Sequence, residues 1–375
     1  MLKQVQHDID KLIYYNQIMA EFISTFITGF QDVVKADLEK RFAGIKILNL
    51  YDGLVHYKFD GDSHQLEKIN YFNNTFFVLK TMKGKGLSFP SLVGAVCSSK
   101  SYFLVNKGSF RVRFQQENQF AKVDKNLTRR VEEFVLRNSK LKLDRLSPTN
   151  EIWFCIRREG FAFCGELISK REFTEKNLNQ GELRPEIAYL ICAYAELPLN
   201  AVVADPFCGY GSIPIQLGKR FKCGKIFASD IDKTKIELLG KKFNVVPEPV
   251  EGPPVDPALR QAQGPHDGAQ GQQIDLRQAD AFELDHIQDS SIDKIITDPP
   301  WGLWESIPDI EAFYNKMFVS FLRVLKPEGS MTILSARTKE LEDAATAQGL
   351  TIKKSLHTLV NGKKASVYYL YKYAG

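Results

Sequence analysis

The carboxy-terminal half of the chain predicts an α/β fold, a largely parallel sheet whose last strand runs antiparallel. The amino-terminal half predicts two smaller α+β units in front of it. Three observations carry this reading. From residue 184 onward, short branched-apolar runs alternate with amphipathic stretches, the pattern of strands and crossover helices. The dipeptide Asn361-Gly362 between the last two apolar runs favours a tight antiparallel hairpin. At 375 residues the chain exceeds one ordinary domain and suggests two or three cores.

In chain order, residues 1–20 read as an extension ahead of the first clean element. Residues 21–70 form a small unit: a strand over 22–27, a helix with Val33, Val34, Leu38 and Phe42 on one face, and strands over 45–50 and 54–59. Residues 71–170 repeat the alternation at larger size. Phe76 to Leu79 suggests a strand, residues 110–114 alternate apolar side chains with Arg111 and Arg113, and 127–137 is a basic helix. Strands over 152–157 and 161–167 close the unit around a turn at 158–160.

In residues 171–375 the predicted order begins with a helix over 185–196, a strand over 201–204, a glycine loop and a helix to about Lys219. A strand over 225–229, a helix over 232–243 and strands over 274–278 and 294–297 follow. The last elements are a helix over 308–325, a turn at the Lys-Pro-Glu-Gly sequence, a strand over 330–334, a helix to about 348, and strands over 352–360 and 365–372. Residues 247–272 break the rhythm. They are dense in Pro, Gly and Gln, cannot bury enough surface to offset their ordering entropy, and read as a disordered insertion.

A composition of 44% hydrophobic and 25% charged residues excludes whole-chain disorder. The six cysteines (97, 155, 164, 192, 208 and 223) are scattered and form no CxxC pair, which excludes a disulfide scaffold, and no His or Cys cluster offers a metal site. The longest apolar run, residues 187–195, falls far short of the ~20 residues that span a bilayer. No signal-peptide core is present either, so the chain reads as cytoplasmic with reduced thiols. The net charge of +5 is unevenly spread: residues 1–70 carry −2, 71–170 carry +10 and 171–375 carry −3. The basic middle segment is a candidate nucleic-acid surface.

Four motifs carry chemistry. The first is VVADPFCGYGS, residues 202–212. A strand ending at Asp205 turns through Gly209 and Gly211 into a helix, and glycine lets backbone approach a ligand closely. It is not a dinucleotide fingerprint, because Pro214 stands where the third glycine belongs. The second is Asp230, at the end of the next strand, where a carboxylate can accept hydrogen bonds from a ribose diol. The third is Asp280-Ala281, placed either to hold an adenine amine or to cap a helix. The fourth is Asp298-Pro299-Pro300-Trp301. Two prolines fix an extended backbone and remove two donors. The carbonyls left free can join the Asp298 carboxylate as acceptors for the two hydrogens of an exocyclic amine. Trp301 offers a face on which a base can stack, a contact typically contributing ~1 to 3 kcal/mol.

These motifs, DPFCGYG, the acid at 230, Asp280-Ala281 and TDPPWG, resemble the successive motifs of class I S-adenosylmethionine-dependent amino-methyltransferases. The upstream LRPEIAYLI (183–191) and the basic segment before it, with FRVRF and LKLDRLSPTNEIWF, resemble the RNA guanine-N2 methyltransferases that carry a THUMP domain after an amino-terminal ferredoxin-like domain. The resemblance implies a Rossmann-like class I methyltransferase domain over 171–375, a THUMP domain over 71–170 and a ferredoxin-like domain over 21–70. It also implies S-adenosyl-L-methionine as cofactor. Asp205, Phe207, Cys208, Gly209 and Gly211 would line its methionine part, Asp230 and Ile231 its ribose, and Asp280 and Ala281 its adenine. Residues 298–301 would hold the target base, with no metal involved. Two departures stand out: Tyr210 occupies a place usual for Ser or Thr, and Trp301 one usual for Tyr or Phe.

The expected partner is tRNA, its acceptor end held by the THUMP domain of a monomeric enzyme. Lys83, Lys85, Lys107, Arg111, Arg113, Arg129 and Arg130 are the candidate phosphate contacts. The rivals are the same chemistry on a 23S ribosomal RNA guanine, an adenine-N6 or cytosine-N4 DNA methyltransferase, and a non-catalytic RNA-binding protein. A nicotinamide dehydrogenase would share the glycine turn and Asp230 but leaves the Asp-Pro-Pro-Trp sequence unexplained.

Overall fold

The structure is a computed structural model and describes residues 20–99, 103–105, 107–171, 178–244, 273–302 and 307–372. The expected extension (1–20), all but its last residue, and the expected insertion (247–272) lie outside the described residues. The described residues fall into two compact units, one of 20–26 and 34–171, the other of 27–33 and 178–372. Among them no helix is long and apolar enough to cross a membrane.

The first unit is built on a nine-stranded sheet. Its strands are β1 (Ala20–Thr25), β2 (Lys46–Tyr51), β3 (Leu54–Phe59), β4 (Asn74–Lys83), β5 (Ser109–Gln116), β6 (Gln119–Phe120), β7 (Lys142–Leu143), β8 (Asn150–Arg157) and β9 (Phe161–Lys170). They lie in the order β2-β3-β1-β4-β9-β8-β5-β6, with β7 beside β5. The segments 21–70 and 71–170 therefore share one sheet. The seam is β4, whose first residues pair with β1 on one side while its full length pairs with β9 on the other. Helices Phe89–Cys97 and Lys125–Asn138 supply Leu92, Val93, Val131 and Val135 to the core beneath Phe110, Phe114 and Phe154. The first of these helices has no counterpart in the sequence reading. Its small apolar residues show no polar face, and a capping box between Ser88 and Ser91 starts it.

The second unit holds the α/β sheet. Its strands are β10 (Val202–Asp205), β11 (Lys225–Asp230), β12 (Gln273–Gln278), β13 (Ile292–Thr297), β14 (Leu325–Ser335), β15 (Leu350–Val360) and β16 (Lys363–Lys372). Their order is β12-β11-β10-β13-β14-β16-β15. Strand β16 runs antiparallel between β14 and β15. The hairpin before it turns on Asn361 and Gly362, at φ 50° and 78°, as a primed two-residue turn requires. The expected Lys-Pro-Glu-Gly turn lies inside β14 as a jump in register: Ile292 faces Leu325, but Lys294 faces Ser330. Helix Ile310–Val324, capped by Asp309, lays Tyr314, Met317, Phe318 and Phe321 on Ile295, Met331 and Ile333.

The chain builds outward from β10 to β12, then returns to start β13 on the other side of β10. In a parallel α/β sheet, the carboxyl ends of the strands at such a reversal form the natural crevice for a ligand.

Candidate active site

The four motifs follow β10, β11, β12 and β13, which are neighbours in the sheet and all parallel. Their acids consequently meet along one edge although up to 93 residues separate them.

Asp205 ends β10 and is 1% exposed. One oxygen, Oδ1, accepts a 2.7 Å hydrogen bond from Thr297 Oγ1 and a longer one from the Phe207 N–H. The other, Oδ2, is shut off from solvent without a partner. Burial pushes this carboxyl up to about 7, against those two hydrogen bonds and with help from the nearby charge of Asp230.

Beyond Asp205 the backbone turns through Gly209 (φ 52°) and Gly211 (φ 89°), both left-handed. A side chain at Gly211 would strike Leu239, whereas one at Gly209 would meet nothing within 4 Å. Gly211 admits a neighbouring helix; Gly209 faces open space. Phe207 turns its ring onto Phe313 and Phe321, and Cys208 packs among Ala228, Ile236 and Leu239. Cys208 is thus buried and leaves its backbone to the crevice, while Phe207 packs on the core and stays partly exposed.

Asp230 ends β11 and is 8% exposed, its oxygens accepting the N–H groups of Gly209 and Asp232, each at 2.9 Å. It ties the glycine turn to β11. Ile231 beside it is 69% exposed. Asp280 begins a turn, accepting the Phe282 N–H at 2.8 Å, and Ala281 is buried behind it. No helix starts there: among the described residues Asp280 opens a turn at 281–283 and not a helix, so the contact is that of a turn rather than the expected helix cap.

Asp298 follows β13. The residue is partly exposed, but its Oδ1 is enclosed and has no hydrogen-bond partner. Burial holds its carboxyl well above the usual range, the charge of Asp205 adds to this, and the Trp301 indole pulls the other way. The indole N–H does so without reaching hydrogen-bond geometry, and it is itself enclosed and unpartnered. Pro299 is buried and Pro300 partly so.

Three supports escaped the sequence reading. Arg337 Nε donates to the Trp301 carbonyl at 2.9 Å, and its own N–H is held by Ser335 Oγ. That oxygen also contacts the buried Tyr314 hydroxyl at 2.8 Å. These residues sit in different segments and carry no shared spacing, so nothing in the sequence joins them to the motif.

In the first unit, the expected phosphate contacts divide by what they already touch. Arg111 Nε donates to Glu151 at 2.9 Å, and Arg113 lies 3.8 Å from the same carboxylate and over the ring of Phe120. Burial pushes Glu151 up, but Arg111, the Trp153 indole and Arg113 together hold it below the usual carboxylate range. Arg129 pairs with Glu133, and Lys83 donates to Asn49. Lys85, Lys107 and Arg130 are exposed. Lys107 lines a depression of about 430 Å³ with Lys140, Lys142, Ser109 and Thr149, and no acidic side chain is among its lining residues. Lys85 lines another with Arg157, Arg158 and Glu159. Lys140, Lys142 and Arg158 were not singled out by sequence, since only the fold gathers them.

Comparison with known proteins gives a consistent picture. Residues 171–366 match the model of the UPF0020 family, described as the RMKL-like methyltransferase domain. A tRNA (guanine(6)-N2)-methyltransferase of Methanocaldococcus jannaschii is 23% identical, over 93% of this chain and 99% of that protein. One of the same name from Thermus thermophilus is 26% identical, over 40% of this chain and 43% of its own. The crystal structure of TrmN from Thermus thermophilus superposes with a TM-score of 0.70 at 20% identity, covering 94% of this chain and 99% of that one. At that identity the likeness speaks for the fold.

Proposed function

The chain belongs to the UPF0020 family of RMKL-like methyltransferase domains, and on that premise we propose that it is an S-adenosylmethionine-dependent methyltransferase acting on the exocyclic N2 amine of a guanosine in tRNA. The observation that carries the reading is the enclosed, unpartnered Asp298 Oδ1 on a prolyl turn beside the strand reversal. Such a group costs stability unless a ligand satisfies it. An amine hydrogen would do so. The choice of tRNA and of guanine is supported by the names of the two relatives, one of them matched along its whole length.

The crevice suits the cofactor. Gly209 leaves room over the turn, Asp205 Oδ2 is an unused acceptor for a cationic ligand, and Ile231 offers apolar surface for a nucleoside. The backbone of residues 207–211 would cradle the methionine part. Asp230, with lone pairs left after two backbone bonds, would take the ribose hydroxyls, and Asp280 with Ala281 would border the adenine. Bound S-adenosylmethionine supplies a methyl group already activated on a sulfonium.

The remaining work belongs to this chain's own residues. An exocyclic amine delocalises its lone pair into the ring and is a poor nucleophile. Hydrogen bonds from its two N–H groups to Asp298 and to the Pro299 carbonyl localise that lone pair and stabilise positive charge as it develops on nitrogen. Asp298 then takes the proton the amine sheds, a step that its raised proton affinity favours. The base must leave its stack at a cost of a few kcal/mol, and stacking on Trp301 offsets part of this. Residues 21–70 and 71–170, as ferredoxin-like and THUMP domains, would hold the acceptor end through exposed cations such as Lys85, Lys107 and Arg130.

The test is incubation with S-adenosylmethionine and unmodified tRNA, followed by mass spectrometry of the nucleosides. Wild-type protein should yield N2-methylguanosine, and Asp298→Ala should lower the rate by roughly 10²-fold or more. Near-normal turnover by that variant would overturn the mechanism.

A further inference from the structure

Two enclosed, unsatisfied polar atoms lie three residues apart on the segment that follows β13. Asp298 Oδ1 is an acceptor and Trp301 Nε1 a donor, and neither has a partner. Leaving a buried polar atom unpaired costs stability, so a fold that keeps both is poised for a state in which they are used. We infer that Trp301 is a positioning residue for Asp298: in the base-bound site its indole N–H donates to the Asp298 carboxylate and keeps that group aimed at the target amine. This rests on the function proposed above, and it adds to ring stacking a second task that the indole can perform and phenylalanine cannot, since phenylalanine has a face but no donor.

The surroundings explain why a donor is needed. Burial and the charge of Asp205, at the end of β10, both oppose ionisation of Asp298, and the indole is the group that favours it. From helix Ile310–Val324 comes the Tyr314 hydroxyl, already engaged with Ser335. At the start of helix Thr338–Ala347 stand Arg337 and Glu340, 3.9 Å apart. Arg337 spends its Nε on the Trp301 carbonyl. With the main chain of Trp301 pinned from that side, rotation of the side chain alone can bring N–H and carboxylate together. A hydrogen bond donated to a carboxylate stabilises its charged form. In that form Asp298 can accept both an amine hydrogen and, later, the proton.

The coupling of the two groups can be read without substrate, because ionising Asp298 by raising the pH creates the charged acceptor that the base-bound site also presents to the indole N–H. The chain has three tryptophans, 153, 301 and 304. In a 15N-labelled sample of the full chain, the indole resonance lost in Trp301→Phe identifies Trp301. It should move with pH in the wild type and stay still in Asp298→Asn. A Trp301 resonance with the same pH response in both proteins would overturn the inference. In the methyl-transfer assay, 3-benzothienylalanine at position 301 keeps the ring shape and replaces N–H by sulfur. The acid limb of its kcat profile should move up by on the order of one pH unit while KM for tRNA changes little. A profile that superimposes on the wild type would also overturn it. Absence of any methyl transfer by wild-type protein would instead sink the function reading, since the resonance titration decides the contact by itself.

Discussion

Thr297 donates a 2.7 Å hydrogen bond to Asp205 across the reversal of strand order, so the first and fourth motifs act as one group. Thr297→Val keeps the shape and removes the donor. Asp205 Oδ1 would retain only the Phe207 N–H, and its carboxyl, already pushed up to about 7, would rise further. The expected loss is roughly 1–3 kcal/mol of stability, together with weaker binding of the cationic cofactor at neutral pH, because less of the carboxylate is ionised. Urea denaturation and calorimetric titration with S-adenosylmethionine measure the two effects. Unchanged affinity at pH 7 would show that Asp205 does not face the cofactor's charge.

The two glycines of the turn separate folding from binding. Gly211→Ala would place a methyl group 2.1 Å from Leu239 Cδ1 in a left-handed backbone, and should cost several kcal/mol, seen as a large drop in Tm. Gly209→Ala meets only the left-handed penalty of roughly 1–2 kcal/mol, since its methyl group points into open space. That variant should fold and still bind S-adenosylmethionine at least tenfold more weakly, because the methyl group occupies the room a ligand needs. Wild-type affinity in folded Gly209→Ala would exclude the space over the turn as a binding site.

Much of this was legible beforehand, for a physical reason. Residues that must meet a ligand at strand ends sit in short contiguous motifs, and strand alternation with a hairpin dipeptide orders them along the chain, so the sequence places Asp205, Asp230, Asp280 and Asp298 after successive strands of a parallel sheet. What escaped depends on side-chain direction and on long-range pairing. Nothing local says that Phe207 and Cys208 face inward, or that Arg337 reaches Trp301 across 36 residues. Nor does alternation reveal that β4 fuses the two amino-terminal segments, or that Arg111 spends its charge on Glu151.

Glu166 predicts a pH response in the first unit. It is 1% exposed and accepts the N–H groups of Leu104 and Val105 at 2.7 and 3.0 Å. Burial pushes its carboxyl from the ordinary 4.5 to about 7, against those two bonds. Between these values the folded chain holds a proton that the unfolded chain has lost. The stability present below pH 4.5 is therefore lost as pH rises to 7, by up to about 3 kcal/mol. Asp205 acts in the same direction over a similar window. Glu166→Gln should flatten part of this decline while losing one of the two backbone bonds. Urea midpoints across the range test it, and a variant curve parallel to the wild type would refute the assignment to Glu166.

The basic residues divide into those that hold the sheet and those free to meet phosphate, and salt dependence tells them apart. Lys85 is exposed beside Arg158, so Lys85→Ala should weaken tRNA binding and reduce the slope of log K against log salt by roughly one. Arg111 is spent on Glu151, which is 12% exposed at its side chain. Arg111→Ala should therefore leave that slope nearly unchanged and instead destabilise the sheet, roughly 1–3 kcal/mol for a largely buried carboxylate stripped of its main partner. Both variants are read by filter binding over a salt series and by thermal unfolding. If Arg111→Ala lowered the slope as Lys85→Ala does, its ion pair with Glu151 would have to open on the RNA, and the whole strand face would belong to the binding surface.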